Sequence, residues 1–450
     1  MIKNKGKVKY LIIGNSAGGI GAAEAIREVD RTGSILIISD ESYPTYSRPL
    51  ISEYLAEGRP LEKILFRPID YYEKNNIRTL LSTKVERLNL DEHTVELNGG
   101  KKIAWKKLLL ASGGLPIIPR IKCNDRSRVF TFTTLDDAKA IDCFLKQLQN
   151  KKTRAVVIGG GFIGVSVAEA LLRRGVEVTI VEMKERILNT LLDQETSALE
   201  EETLKQAGVN IVTGHTVANI NSFTEDVATI VTLDDKRKIS CNLVIIAIGV
   251  LPRTELVSDT DIEINRGILV DRTMATSNPD VYACGDVAEA YDFIYGENRL
   301  TPIWPNAYFG GRIAGLNMAG NPTEYSGGTV MNALKYFGLD VTVAGMVNPP
   351  DDSYEVLSLK YNDNYRKVVL KDGLVVGMIF TGNIEKSGIV FALMKDKVNI
   401  NGFKQELIAE DFGLASLPEG MWKPRLEMPH SMPNSLMVSV EQPVEMVMGD

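Results

Sequence analysis

Ala155-Val156-Val157-Ile158-Gly159-Gly160-Gly161-Phe162-Ile163-Gly164 is the stretch on which the fold turns. Four strand-type apolar residues run into a glycine turn. A helical stretch from Val165 to Arg174 follows, and then a strand from Val176 to Val181 that ends at Glu182. Strand, glycine turn, helix, strand and acid is the order of a dinucleotide-binding βαβ unit. Gly159 permits the tight turn out of the strand, Gly161 lets backbone approach a pyrophosphate, and Gly164 lets helix and strand pack closely. The helix N-terminus offers free N–H groups and a partial positive charge to the phosphates. Phe162 and Ile163, between the last two glycines, count with them as nucleotide contacts. Glu182 suits NADH, because a carboxylate accepts from a ribose 2′-hydroxyl and repels a 2′-phosphate. Lys184 and Arg186 leave NADPH open, or are exposed helix charges.

The same order occurs nearer the N-terminus. Tyr10-Leu11-Ile12-Ile13 runs into Gly14-Asn15-Ser16-Ala17-Gly18-Gly19. A helical stretch Ile20–Val29 and a strand Ile35–Ile38 follow, ending in Ser39-Asp40-Glu41. Ser16 stands where the middle glycine would be; it is small enough to keep close phosphate approach. Two further segments repeat: Leu108-Leu109-Leu110-Ala111-Ser112-Gly113-Gly114-Leu115-Pro116 and Val244-Ile245-Ile246-Ala247-Ile248-Gly249-Val250-Leu251-Pro252. Each is a buried-type strand ending in small residues and a proline. Two similar nucleotide-binding domains are the simplest explanation of the duplication.

The 450 residues suggest three domains at about 150 residues each. With 44% hydrophobic and 24% charged residues, the chain is neither disordered nor collagen-like. A net charge of −7 argues against nucleic-acid or anionic-membrane binding. The four cysteines include no C-x-x-C pair, so neither a zinc site nor an iron–sulfur cluster of this chain's own is expected. The apolar run behind the basic N-terminus is too short for a signal sequence, and no membrane span is expected. Sparse cysteine then points to the cytoplasm.

With these residues in view, the chain resembles the FAD-dependent pyridine nucleotide–disulfide oxidoreductases. Thr276-Ser277-Asn278-Pro279-Asp280-Val281-Tyr282-Ala283-Cys284-Gly285-Asp286-Val287-Ala288 is similar to that family's second FAD motif, in which the residue matching Asp286 bonds the ribityl chain. The resemblance implies an α/β fold with two Rossmann-like domains and a C-terminal α+β interface domain. It also implies that the first fingerprint (Gly14, Ser16, Ala17, Gly18, Gly19) holds FAD and the second holds NAD(P)H. The strand-end residues Ala111, Ser112, Gly113 and Gly249 belong with these cofactor sites. Expected boundaries are 1–120 and 251–325 for the FAD domain, 121–250 for the NAD(P)H domain, 326–415 for the interface domain, and 416–450 for a tail.

Asp40-Glu41-Ser42-Tyr43-Pro44-Thr45-Tyr46-Ser47-Arg48-Pro49-Leu50-Ile51-Ser52 is similar to the branch of rubredoxin and ferredoxin reductases and the flavin portion of NADH-dependent nitrite reductase. There the acid near Asp40 or Glu41 binds the adenosine ribose, and the arginine matching Arg48, with Pro49 beside it, lies along the FAD pyrophosphate. Pro302-Ile303-Trp304-Pro305-Asn306-Ala307 resembles the segment passing the flavin pyrimidine. Trp304 is therefore either a flavin contact or an ordinary buried aromatic.

The departures point to the chemistry. Tyr46-Ser47-Arg48-Pro49 carries no cysteine where the single-cysteine oxidase branch has one, and a thiol relay needs a thiolate. Cys284 reads as a small packed hydrophobe, and Cys123, Cys143 and Cys241 as structural. Glu53 and Ser166 replace the lysine–glutamate pair that relatives hold near the flavin; Glu169 reads as a solvated or packing residue. No side chain of the chain is assigned as an acid, base or nucleophile. These residues lead to an oxidoreductase passing electrons from NADH through FAD to an iron–sulfur or rubredoxin-type protein. It would be a homo- or hetero-oligomer and could serve as subunit of a 2-oxoacid oxidoreductase or nitrite reductase. The alternatives are a stand-alone NADH oxidase or peroxide reductase, and a non-catalytic FAD/NAD-binding assembly subunit. Residues 421–450 hold six of the 14 methionines and four prolines. That composition suits either a mobile tail or a segment lying extended on a partner.

Overall fold

The computed structural model describes residues 7–148, 152–223, 228–362 and 364–426. Two parallel sheets are built alike. In the first, Val8–Ile13 lies between Ile35–Ile38 and Lys102–Leu110, with Ile77–Leu80 outside on one side and Val281–Ala283 on the other. In the second, Arg154–Ile158 lies between Glu177–Glu182 and Leu243–Ile246, flanked by Asn210–Thr213 and Val129–Thr131. The registers match: Ile13 pairs with Ile38 and Leu110, and Ile158 with Val181 and Ile246. Each glycine turn therefore opens at the carboxyl edge of its sheet, beside the acid-bearing strand end.

Both fingerprint helices start earlier than the apolar pattern suggests. They span Ala17–Val29 and Phe162–Arg173, because Ser16 and Gly161 take the N-cap with extended backbone. The first packs along Trp304–Met318 at backbone-to-backbone range, where a Cβ on Gly311 would lie 2.0 Å from the Gly18 carbonyl oxygen. The two units touch through a short antiparallel pair, Gly114–Pro116 with Val250–Pro252, in which Leu115 faces Leu251.

An antiparallel five-stranded sheet completes the described chain, in the order Met331–Tyr336, Leu339–Gly345, Leu374–Thr381, Asn364–Lys371, Glu355–Tyr361. Helix Ser387–Lys395 covers it through Val390, Leu393 and Met394. The α-helix stops at Lys395, and turns follow. The tail is corrected at its start. Glu419–Leu426 is helical, with Met421 and Trp422 packed against the core of this last unit, whose apolar surface gives them a place to bury. Residues 427–450, which carry the rest of the expected tail, lie outside the described residues. No helix among the described residues is long and apolar enough to cross a membrane.

Candidate cofactor site

The carboxyl edges of both parallel sheets, with strand Met331–Tyr336, enclose a cleft of 1310 Å³. Its wall takes Gly14, Ser16, Ala17 and Gly18 from the first fingerprint, and Asp40, Glu41, Arg48 and Pro49 from the loops that follow. Ala111, Ser112, Gly113 and Gly249 come from the repeated strand ends, Phe162 and Ile163 from the second fingerprint helix. Asp286 and Trp304 complete the set. Gly19, Gly159, Gly161, Gly164 and Glu182, also expected at the cofactor sites, are not among the residues that line it.

Local geometry divides the glycines by role. A Cβ on Gly19 would fall 2.0 Å from the Gly14 carbonyl oxygen, and one on Gly164 would fall 1.9 Å from that of Gly159. The chain cannot make either turn with a larger residue. Gly161 differs: its φ is −81° and nothing lies within 4 Å of a Cβ there. Folding does not require this glycine, and the space a side chain would fill lies at a helix N-terminus, where a pyrophosphate fits. Ser16 holds the matching position in the first unit, and its hydroxyl makes no capping bond, which leaves it for a phosphate.

The acids and arginines form a linked set. Asp40 pairs with Arg253 at 2.9 Å. Glu41 pairs with Arg48 and accepts from the Tyr46 hydroxyl at 2.5 Å. Arg48 also donates to the Thr133 carbonyl at 2.9 Å, and Leu135 N–H to Tyr46 at 3.0 Å. Arg253, Tyr46 and Thr133 are cleft residues that the sequence reading passed over. Arg253 could have been found, because it directly follows the repeated Leu251-Pro252. Thr133 carried no signal, since it is recruited through its backbone. In the second unit Glu182 accepts from the Gly160 N–H at 2.6 Å and the Lys184 N–H at 2.8 Å. Its carboxylate is thereby held against the glycine turn.

Burial raises the Asp286 carboxyl above the ordinary carboxylate range, against the pull of Arg48. Burial also pushes the Cys284 thiol up to about 12, and Asp286 adds to the shift. Cys284 is fully buried beneath Gly18, whose Cβ would lie 2.7 Å from Sγ. It is the one cysteine on the cleft wall among the described residues, and it is a packed thiol rather than a nucleophile. Glu53 is drawn off into an ion pair with Arg173 at 3.2 Å. Glu169 accepts from the Phe337 N–H at 3.0 Å and is a packing residue, half-buried.

A cleft of this size, with the first glycine turn and Asp286 on its wall and the second fingerprint helix reaching it at Phe162 and Ile163, has room for a dinucleotide cofactor. The comparisons agree. The model for "Pyridine nucleotide-disulphide oxidoreductase" matches residues 8–311, and that for "Rubredoxin NAD+ reductase C-terminal domain" matches residues 331–398. The chain is 29% identical over 406 residues to the NADH-dependent phenylglyoxylate dehydrogenase subunit epsilon of Aromatoleum evansii, covering 89% of this chain and 94% of that one. It is 32% identical over 376 residues to the NADH-rubredoxin oxidoreductase of Clostridium acetobutylicum, covering 84% and 91%. The crystal structure of NADH:rubredoxin oxidoreductase from Clostridium acetobutylicum superposes with a TM-score of 0.70 at 28% identity, over 88% of this chain and 97% of that one. With both fingerprints, the Asp286 motif and the matched C-terminal sheet in place, the chain belongs to the pyridine nucleotide–disulphide oxidoreductase family, as an enzyme that uses FAD and NADH.

Proposed function

We propose that the protein takes electrons from NADH and delivers them, through FAD, to an iron–sulfur or rubredoxin-type protein, as flavoprotein subunit of a complex that oxidises a 2-oxoacid. The observation that carries this reading is a cleft lined by the first glycine turn, Asp286 and the start of the second fingerprint helix, whose one wall cysteine among the described residues, Cys284, is fully buried. FAD bound there supplies a hydride acceptor that can release electrons one at a time. The chain's own residues supply binding and alignment: Ser16 and the first helix N-terminus hold the FAD pyrophosphate, Glu41 or Asp40 the adenosine ribose, Asp286 the ribityl chain, and Glu182 the NADH ribose. Hydride transfer needs stacking at near contact rather than an acid or base, so positioning is the main contribution of the protein. The likeness to a phenylglyoxylate dehydrogenase subunit supports the 2-oxoacid part of the proposal.

On this reading residues 1–120 and 251–325 form the FAD domain, 121–250 the NADH domain and 326–415 the interface domain. The cytoplasm suits an enzyme with four free cysteines. The test is an anaerobic titration of the FAD-loaded protein with NADH, followed by addition of rubredoxin, ferredoxin or oxygen. Bleaching by NADH with recovery on adding an iron protein is expected. Absence of bleaching would make the chain a non-catalytic binding subunit, and fast recovery with oxygen alone would make it an oxidase.

A further inference from the structure

Four aromatic rings lead from the cleft wall to the surface. Trp304 lines the cleft at the start of helix Trp304–Met318. Its ring meets Phe66 edge-on at 5.0 Å between centroids, and Phe66 meets Tyr308 edge-on at 6.0 Å. Tyr308 meets Phe309 at 5.7 Å, and Phe309 is 51% exposed. The loop that supplies Phe66 also presents Ile69, 69% exposed.

This stack is braced. The Arg67 guanidinium lies 4.1 Å from the Phe66 centroid and pairs with Glu24 at 2.6 Å. Glu24 also accepts from the Tyr308 hydroxyl at 2.7 Å. One carboxylate thus holds Tyr308 directly and Phe66 through Arg67. Arg312 on the same helix is taken by Glu28 at 2.8 Å. Arg67 and Arg312 are thus each paired with a glutamate. The exposed Phe309 ring and Ile69 offer apolar surface against which a partner's own apolar patch can bury.

We propose that Trp304, Phe66, Tyr308 and Phe309 form the path by which electrons leave the cleft, and that a small iron–sulfur or rubredoxin-type protein docks over Phe309. The inference rests on the function proposed above and adds the exit and the docking face. Electron tunnelling weakens steeply across empty gaps, and edge-on ring packing gives continuous contact from the cleft to the surface. No ring is oxidised or reduced. The reduced flavin gives up two electrons and one proton; two ferric centres take one electron each, and the proton passes to water in the cleft. The transfers are sequential, so one docking face serves both.

The experiment uses the full FAD-loaded chain and the variants Phe309→Glu and Phe66→Leu. Binding of zinc-substituted rubredoxin, which cannot accept electrons, is measured by calorimetry. Reoxidation of the NADH-bleached flavin is followed with iron rubredoxin, with a two-iron ferredoxin and with ferricyanide. Phe309→Glu should weaken zinc-rubredoxin binding about tenfold or more, as loss of a central interface ring does. Phe66→Leu should keep that binding and lose rate in reoxidation by the iron proteins. Both should leave bleaching by NADH and recovery with ferricyanide, a small acceptor that needs no protein docking face, at wild-type rates. Wild-type binding and reoxidation by iron proteins in both variants would overturn the path while leaving the proposed function standing. A wild-type protein that is bleached but not reoxidised by either iron protein would overturn the function itself, and the path with it.

Discussion

Gly161 and Gly164 share a turn and should respond differently to one added methyl group. Gly161→Ala fills open space, so the melting temperature should hold while NADH binding weakens by about tenfold, near 1.4 kcal/mol. Gly164→Ala drives its methyl into the Gly159 carbonyl and should cost about 1–3 kcal/mol of stability, as overpacking does. Denaturant melts and an NADH titration of the two variants separate the effects. Glu200 carries a pH dependence. Both of its oxygens are buried without a partner, and burial, with Glu169 nearby, pushes the carboxyl up to about 8 from 4.5. The unfolded chain releases that proton at a lower pH than the folded one. Stability should therefore fall as pH rises from about 4.5 to about 8 and then level off. Glu200→Gln should flatten that slope in melts taken across the window. If the slope persists, another group is responsible.

At the scale of elements, the fingerprint helix Ala17–Val29 and helix Trp304–Met318 depend on paired small residues. A Cβ on Gly315 would lie 2.4 Å from the Ala22 carbonyl oxygen. Gly315→Ala should push the helices apart, cost about 1–3 kcal/mol and loosen FAD, seen as flavin loss on gel filtration. This pairing also marks what the sequence could convey. Both βαβ units were legible because hydrophobic runs, glycine turns and acids recur at fixed spacing. That Val281–Ala283 joins the first sheet was not legible in its apolar pattern, since a three-residue strand carries no periodicity; family likeness marked the segment only as part of an FAD motif. The helix starts were missed because Ser16 and Gly161 act as caps through backbone conformation, not through apolar pattern. Within the site, the single acids and Arg48 could be singled out. The Glu41–Arg48–Tyr46 linkage could not, because it depends on a fold that brings Leu135 to the Tyr46 hydroxyl.

On the scale of the whole molecule, the cleft draws its wall from segments far apart in sequence, from Gly14 to Trp304. A ligand that binds only the assembled cleft should stabilise the molecule by mass action. FAD at about 100 times its Kd adds about 2.7 kcal/mol. Deflavinated protein should melt lower and recover on adding FAD, whereas NADH alone should protect less. Equal melting with and without FAD would mean that the cleft does not need the flavin to hold its walls together.

Leu115 and Leu251 come from the two repeated strand ends, yet they face each other across a pair of three-residue strands. What duplication copied, folding has joined. Each copy supplies half of a clamp, so a change to either half is felt by both βαβ units at once. The spacing of the two units is thereby tied to the most sequence-symmetric spot in the chain.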